Sequence, residues 1–230
     1  MRAMSNGRHA SQLFLDFPKA DPDSRPLIET GSYASALVAL RRWRHWPGQQ
    51  LALIGEAQSG RTRLLTVWSV DAGAALVTGA ALAGAGMNEI ARLSVAALAI
   101  DDADQAGSGL GVLAALNLCR DRGVPVLLAG QAEPAAWFTT PPDLRSRLAA
   151  LPVVRIDAPD DETLAARLRE ECALRHLIIP EESVTYLAQR MEPSWEAVGQ
   201  VADEIARTPG RAEGLRSARA ALIALGMDPG

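Results

Sequence analysis

Short apolar runs alternate with segments of helical periodicity along much of this chain. QLALI (50–54) and VPVLLAG (124–130) are apolar almost throughout, which is typical of strands buried on both faces of a sheet. The segment 109–123 has helical spacing and ends in glycine. Strands that alternate with helices predict a parallel, doubly wound α/β sheet. The other elements predicted here are strands at 75–79, 94–102 and 153–156, and helices at 32–46, after the glycine-rich turn through about Val70, and at 141–151.

The pattern changes near Ala158. The segments that follow all have helical periodicity, and they open with Asp, Pro-Glu, Ser or Arg-rich turn chemistry. We therefore expect three parts in this chain: a flexible tail at 1–26, an α/β domain at 27–157 and a small helical lid domain at 158–230.

A glycine-rich turn follows the first predicted strand and precedes a predicted helix. Its sequence, GEAQSGRT (55–62), has the spacing of a P-loop, in which backbone N–H groups and the helix N-terminus hold phosphate. Arginine stands where such loops carry lysine, and it keeps the charge but not the compact point contact. A chance Gly-rich turn is the alternative interpretation. The residues predicted to bind nucleotide here are Gly55, Ser59, Gly60, Arg61 and Thr62.

Two aspartates end the apolar run LAIDD (98–102). In P-loop proteins an acidic strand end holds Mg²⁺, together with the Ser or Thr of the loop. Asp101 and Asp102 are therefore predicted to belong to the nucleotide site, with Thr62 and Asp101 as the magnesium ligands when nucleotide is bound. The order of the two motifs favours nucleotide-fold ancestry over coincidence.

Two arginines lie in PPDLRSRLAAL (141–151), after the fourth predicted strand. In the simplest interpretation Arg145 and Arg147 are solvated surface charges. An exposed arginine on an ordered helix is also the group that stabilises phosphoryl transfer at a neighbour's site. Arg147 is thus the candidate arginine finger acting in trans, with Arg145 beside it as a second catalytic candidate.

The tail carries QLFLDF (12–17), in which apolar residues alternate with polar ones. An extended peptide with apolar anchors and one amide suits a pocket on another protein. Packing of this segment on its own domain is equally consistent with the pattern. The candidate docking residues are Gln12, Leu13, Leu15 and Phe17.

Composition narrows the classes of partner. A net charge of −4, from 23 basic and 27 acidic residues, opposes bulk attraction to nucleic acid or to an anionic membrane. No apolar stretch has the length of a membrane span or a signal sequence. We therefore expect a cytoplasmic protein.

Together these motifs resemble the Hda/HdaA family, the DnaA-related AAA+ proteins of regulatory inactivation of DnaA. The resemblance runs from Gln12 to about Leu225. It rests on QLFLDFP, GEAQSGRTRLLTVW, LAIDDAD, PPDLRSRLAALPVVRIDAPDDE and the helical segments that follow. It implies an AAA+ P-loop domain followed by a small α-helical lid.

The resemblance also implies roles for individual positions. The segment 12–17 matches the peptide that docks on the DNA polymerase III sliding clamp (beta subunit), and Arg147 matches the finger that acts on ATP bound to DnaA. The P-loop and the two aspartates match Walker A and Walker B, which implies ADP or ATP with Mg²⁺, and ADP in the active form. The implied partners are DnaA and the clamp. DNA is reached only through the clamp, and a homo-oligomer is a further possibility.

Three positions depart from the family pattern. Gln58 stands where related P-loops often have glycine, and Gln131 follows the strand where a sensor-1 residue is expected. Glu196 aligns with a sensor-2 arginine. Because a carboxylate repels phosphate, we expect a weakened pocket and little autonomous hydrolysis of ATP.

The leading hypothesis is a negative regulator of replication initiation. It would bind the sliding clamp and stimulate hydrolysis of DnaA-bound ATP through its arginine finger. One alternative is an autonomous P-loop ATPase, and another is a non-catalytic AAA+ adaptor for replication proteins. The clamp motif does not separate the adaptor from the leading hypothesis, because both need it.

Overall fold

A parallel sheet lies at the centre of the first part of the molecule. The computed structural model describes residues 31–85, 90, 94–207 and 214–227. Within them, five strands pair in the order β2-β3-β4-β1-β5, and all the pairings are parallel. The predicted parallel α/β sheet is therefore confirmed. The strands are β1 (Gln50–Gly55), β2 (Ala74–Thr78), β3 (Ala97–Asp101), β4 (Val126–Gly130) and β5 (Val153–Ile156).

Helices cover both faces of this sheet. Alternate residues of β1 point to opposite faces, so that Leu51 and Leu53 join one apolar cluster while Ala52 and Ile54 join the other. The first cluster includes residues of α1 and α2, and the second includes residues of α3, α4 and α5. These helices are α1 (Gly31–Arg41), α2 (Arg61–Ala72), α3 (Gly79–Gly84), α4 (Leu110–Arg122) and α5 (Pro142–Ala149).

Two predicted elements differ in extent from the observed ones, and one was missed. The helix predicted at 32–46 ends at Arg41, and a short 3₁₀ turn then brings Trp46 onto Trp68, with ring centroids 5.3 Å apart. The strand predicted at 94–102 begins only at Ala97. The short α3 was not predicted, because GAALAG has too few turns for its periodicity to be recognised.

The last part of the described chain is helical and has a core of its own. Caps fix the helix starts: the side chain of Asp160 accepts a hydrogen bond from the Thr163 N–H at 2.8 Å, and that of Ser194 accepts one from the Ala197 N–H at 3.1 Å. The apolar cluster here includes Leu168, Leu187 and Val198. The helices are α6 (Asp161–Leu174), α7 (Glu181–Ala188), α8 (Trp195–Ala206) and α9 (Leu215–Ala224).

Among the described residues, no helix is both long enough and apolar enough to span a bilayer.

The parallel arrangement gathers the functional loops at one edge of the sheet. The carboxyl ends of parallel strands meet at a common edge, which is where such sheets bind ligands. The P-loop follows β1 there, and Asp101 ends β3 opposite Thr78 of β2. The neighbouring Gly79 approaches the β3 end closely, since a Cβ at this position would lie 2.1 Å from the carbonyl oxygen of Asp102.

Candidate functional site

The P-loop turn has the backbone that its glycine spacing requires. Gly60 has φ of 92° and directly precedes α2. A Cβ at Gly60 would lie 3.0 Å from both the Trp195 Nε1 and the Tyr33 Cε2 atoms. Glycine is therefore needed here twice, for the left-handed backbone and for the close approach of two aromatic rings. Gln58 also has a positive φ, 62°, which a non-glycine residue adopts only under tertiary constraint.

Donor groups without partners surround this turn. The Oγ of Ser59, the Nη1 of Arg61 and the Nε1 of Trp195 are buried and meet no acceptor among the described residues. A buried donor left unpaired costs roughly 1–3 kcal/mol, so such groups are normally satisfied by a ligand or by water. All three residues line one cleft, and the N-terminus of α2 adds a positive dipole to it. This donor set fits an anion of the phosphate class.

Arg61 is partnered within the chain. Its side chain is 8% exposed, and its Nη2 lies 3.5 Å from Oδ1 of Asp102. Burial and the neighbouring Asp101 raise the pKa of Asp102 above its usual range, although the Arg61 charge acts in the opposite direction. The 3.5 Å separation is that of a long ion pair.

The predicted magnesium ligands lie at the edge of the sheet. Asp101 is 7% exposed, and its Oδ1 accepts a hydrogen bond from the Asp102 N–H at 3.0 Å. Thr62 is exposed on the first turn of α2. The described residues hold no group of three or more His, Cys, Asp and Glu side chains arranged to bind a metal. A magnesium ion at Thr62 and Asp101 would therefore depend on phosphate oxygens for further ligands, as is usual for Mg²⁺.

A cleft of about 590 Å³ joins the P-loop to the last helices. One wall is formed by the loop and the first turns of α2, and the other by α6 and α8. Glu196 accepts hydrogen bonds from Gln58 on the loop and from Gln200 on its own helix. Glu196 is exposed and also bridges the two walls. The residues lining the cleft are Tyr33, Gln58–Arg63, Thr66, Val67, Arg167, Glu171, Arg175, Trp195, Glu196 and Gly199.

Paired charges, two of them buried, lie on α6 in the cleft wall opposite the P-loop. Arg167 and Glu171 are both 5% exposed, and the Arg167 Nη2 lies 2.6 Å from the Glu171 Oε1. Glu171 also pairs with Arg175, which in turn pairs with Asp203 at 2.7 Å. This network was not predicted from the sequence. Its only sequence signal is the four-residue spacing of Arg167, Glu171 and Arg175, which is common on solvated helices.

Aromatic rings close the cleft near α1. The ring centroids of Tyr33 and Trp195 lie 5.7 Å apart in an edge-to-face arrangement. Burial raises the pKa of Tyr33 to about 12, with the charges of Arg63 and Arg167 acting in the opposite direction. Tyr33 therefore stays a neutral phenol at physiological pH.

The structure places Arg147 far from this cleft. It lines a separate hollow with Pro47, Gln50 and Pro152, which lie where β1 and β5 begin. The P-loop lies at the opposite ends of those strands. The Arg147 side chain is 28% exposed, and its contacts are with Asp143 and Asn117. Its guanidinium is therefore not positioned to serve the chain's own P-loop.

The remaining predicted positions are Arg145, Gln131 and the docking residues at 12–17. Arg145 is exposed and makes no hydrogen bond or ion pair with any described residue. The Gln131 backbone N–H donates to Oδ2 of Asp104 at 3.1 Å, and its side chain is exposed. The docking residues predicted at 12–17 lie outside the described residues.

Comparison with known proteins gives structural likeness without sequence matches. No family model matches the chain, and no curated protein matches it. Domain III of the replication initiation protein DnaA from Thermotoga maritima superposes with a TM-score of 0.69 and 20% identity, over 89% of this chain and 95% of that one. AMPPCP-bound DnaA from Aquifex aeolicus gives 0.66 and 17%, over 85% of this chain and 65% of the longer one.

A second group of similar structures consists of RuvB proteins. The RuvB Holliday junction branch migration motor of Thermotoga maritima has a TM-score of 0.64 and 16% identity, over 85% of this chain and 67% of that one. These likenesses agree with the strand order and with the P-loop edge described above. The chain shares the α/β fold of these DnaA and RuvB structures.

Proposed function

We propose that this protein stimulates hydrolysis of ATP bound to DnaA, by inserting Arg147 at the DnaA nucleotide, and so restrains replication initiation. The observation that carries the proposal is the placement of Arg147. It lies at the edge of the sheet away from the chain's own P-loop, and its side chain is partly exposed. Stabilising charge on a phosphoryl group of another subunit is the chemistry open to such an arginine.

The rate acceleration expected from an arginine finger is large enough for this role, even if the chain's own cleft hydrolyses no ATP. An arginine finger accelerates phosphoryl transfer by about 10³–10⁵. At 1.36 kcal/mol per decade, this corresponds to about 4–7 kcal/mol of transition-state stabilisation. The likeness to DnaA domain III supports the choice of partner, since two similar AAA+ surfaces can pair as two copies of one fold would.

Docking on the sliding clamp completes the proposal. Gln12, Leu13, Leu15 and Phe17 are proposed to hold the tail on the clamp, in the manner of an extended peptide in a pocket. Tethering raises the effective concentration of the α/β domain near DnaA on the same DNA. The charge of −4 is consistent with DNA contact through the clamp alone.

The cleft supports a second role, binding of ADP or ATP. The unpaired Ser59 Oγ and Arg61 Nη1 fit phosphate oxygens. Gly55 and Gly60 let the loop backbone approach them, and Thr62 with Asp101 would hold Mg²⁺. The phosphate oxygens of a bound nucleotide would supply the hydrogen-bond acceptors that these donors lack. A purified sample that releases adenine nucleotide on denaturation would support this role.

A reconstituted assay tests the main role. Radiolabelled ATP bound to DnaA is followed in the presence of clamp-loaded DNA, with and without this protein. We expect stimulation by the parent, and none by Arg147→Ala. Arg207→Ala is the matched control, because Arg207 is 71% exposed at the end of α8 and pairs with Glu204. Full stimulation by Arg147→Ala would overturn the finger assignment.

The tail is tested separately. Leu15→Ala combined with Phe17→Ala should reduce retention on immobilised clamp and reduce stimulation on clamp-loaded DNA. Clamp binding without any effect of the parent on DnaA-bound ATP would instead favour an adaptor. Steady ATP turnover by the protein alone, lost in Asp101→Asn, would favour an autonomous ATPase.

A further inference from the structure

Arg147 is held by residues on two different helices. Its Nε lies 3.1 Å and 3.0 Å from the two carboxylate oxygens of Asp143, one turn earlier on α5. Its Nη1 lies 2.7 Å from Oδ1 of Asn117 on α4. Contacts at two different nitrogens fix the plane of the guanidinium as well as its location.

These contacts leave part of the guanidinium open. Arginine has five N–H donors, of which one is on Nε and two are on each Nη atom. Asp143 takes the Nε donor and Asn117 takes one donor of Nη1. Both donors of Nη2 have no acceptor among the described residues. These donors can form charge-assisted hydrogen bonds to phosphoryl oxygens, so the held pose leaves part of the guanidinium available to a partner.

The two contacts differ in strength and in charge. Asp143 is 58% exposed and lies four residues before Arg147 on the same helix, a pairing that water screens and that contributes little. Asn117 is partly buried and stands on α4, which is anchored by the core residues Leu116 and Cys119, each 1% exposed. Its amide oxygen accepts the hydrogen bond from the Arg147 Nη1 atom.

We infer that Asn117 is a positioning residue for Arg147, which orients the finger before the partner's phosphate arrives. The inference rests on the proposed function of Arg147. A side chain that is already ordered loses less entropy when the complex forms. The effect belongs to the chemical step, because displacement of a catalytic group by about 1 Å can cost about 100-fold in rate.

The test compares three variants in the DnaA-bound ATP assay with clamp-loaded DNA. Asn117→Ala should lower the maximal rate by about 10–100-fold while the concentration for half-maximal stimulation stays unchanged. Asn117→Asp keeps an oxygen at the same reach and should recover most of that rate. Asp121→Ala is the control, since Asp121 is 68% exposed on α4 and pairs with Arg120, and it should match the parent.

A second measurement uses the protein alone. Arginine side-chain NMR follows rotation about the Nε–Cζ bond, and a held guanidinium gives separate Nη1 and Nη2 signals. The Arg147 signals, identified by their loss in Arg147→Ala, should be separate in the parent and in Asn117→Asp and should merge in Asn117→Ala. Separate signals in Asn117→Ala would show that the amide does not hold the finger.

The outcomes distinguish failure of the positioning role of Asn117 from failure of the proposed function of Arg147. Stimulation that survives Arg147→Ala overturns the proposed function. Stimulation that is lost in Arg147→Ala but unchanged in Asn117→Ala overturns the positioning role alone. A loss in Asn117→Ala that appears only as a higher half-maximal concentration, or that Asn117→Asp does not recover, assigns the residue to the interface or to folding and also overturns positioning.

Discussion

Two arginines of this chain have the same side chain and contrasting surroundings. Arg61 is 8% exposed in a cleft walled by the last helices, and its ion-pair partner is the chain's own Asp102. Arg147 is 28% exposed at the other edge of the sheet, and both Nη2 donors are without an acceptor among the described residues. The contrast shows that one fold can hold one arginine against its own cleft and another facing outward.

The largest expected effect is on stimulation of DnaA-bound ATP hydrolysis, and the two arginine variants should differ in whether this effect depends on ADP. Arg147→Ala should reduce stimulation of DnaA-bound ATP hydrolysis by about 10³–10⁵ at any ADP concentration, because the lost group acts outside the chain. Arg61→Ala should reduce it only at low ADP, because this variant weakens nucleotide binding in the chain's own cleft. Rates measured against rising ADP test this difference. Recovery of Arg147→Ala by ADP would remove the distinction between the two groups.

The next largest expected effect is on the free energy of unfolding, after a change in the buried charge network of α6. Glu171→Ala removes the 2.6 Å partner of the buried Arg167 and leaves it only the 3.0 Å contact with Glu170. A buried charge left with no partner costs about 3–5 kcal/mol, so the decrease here should lie at or below the lower end of that range. Chemical denaturation should show this decrease in the free energy of unfolding. Glu181→Ala, which removes an exposed pair with Arg169, is the control and should unfold like the parent. Equal stability of both variants would mean that the network does not stabilise the wall.

The indole of Trp195 should have an intermediate effect on nucleotide affinity. Trp195→Phe keeps a ring against Tyr33 but removes the unpaired Nε1 donor. A hydrogen bond to a charged group contributes about 1.5–3 kcal/mol, so the Kd for ADP should rise about tenfold or more. Trp43→Phe is the control, because the Trp43 Nε1 donates to Asp71 outside the cleft. An unchanged Kd in titration calorimetry would exclude Trp195 as a phosphate contact.

The smallest effect concerns the partner of Arg61. The raised pKa of Asp102 means that its surroundings disfavour the carboxylate, chiefly through burial. The folded state is therefore penalised above that pKa and relieved below it. Asp102→Asn should melt slightly higher than the parent at pH 7, and the difference should shrink as the pH falls through the Asp102 pKa. A melting temperature that is lower than the parent's at pH 7 would show that the ion pair outweighs burial.

The sequence predicted the parts of the site that depend on local spacing. The P-loop lies between β1 and α2, and Asp101 ends β3 beside it, because glycine turns and apolar strands are recognisable within a few residues. The parallel sheet followed from the alternation of elements.

Contacts between distant segments were beyond the sequence. Gln58 meets Glu196 across 138 positions, and Arg147 meets Asn117 across 30. Polar side chains such as these resemble ordinary surface residues until packing brings them together. The burial of Arg167 and Glu171 was likewise unpredictable, since only the docking of α6 against the other helices removes them from water.

The hydrogen bond between Gln58 and Glu196 has a consequence for communication through the molecule. A ligand that displaces this contact changes the free energy that holds the helical part against the loop. By thermodynamic reciprocity, a partner protein that tilts the helical part must then alter ligand affinity by the same factor. Ligand occupancy of the cleft and the orientation of the helical part relative to the loop are thus one linked equilibrium. Binding of a partner protein to the helical part would therefore change the affinity of the cleft for its nucleotide.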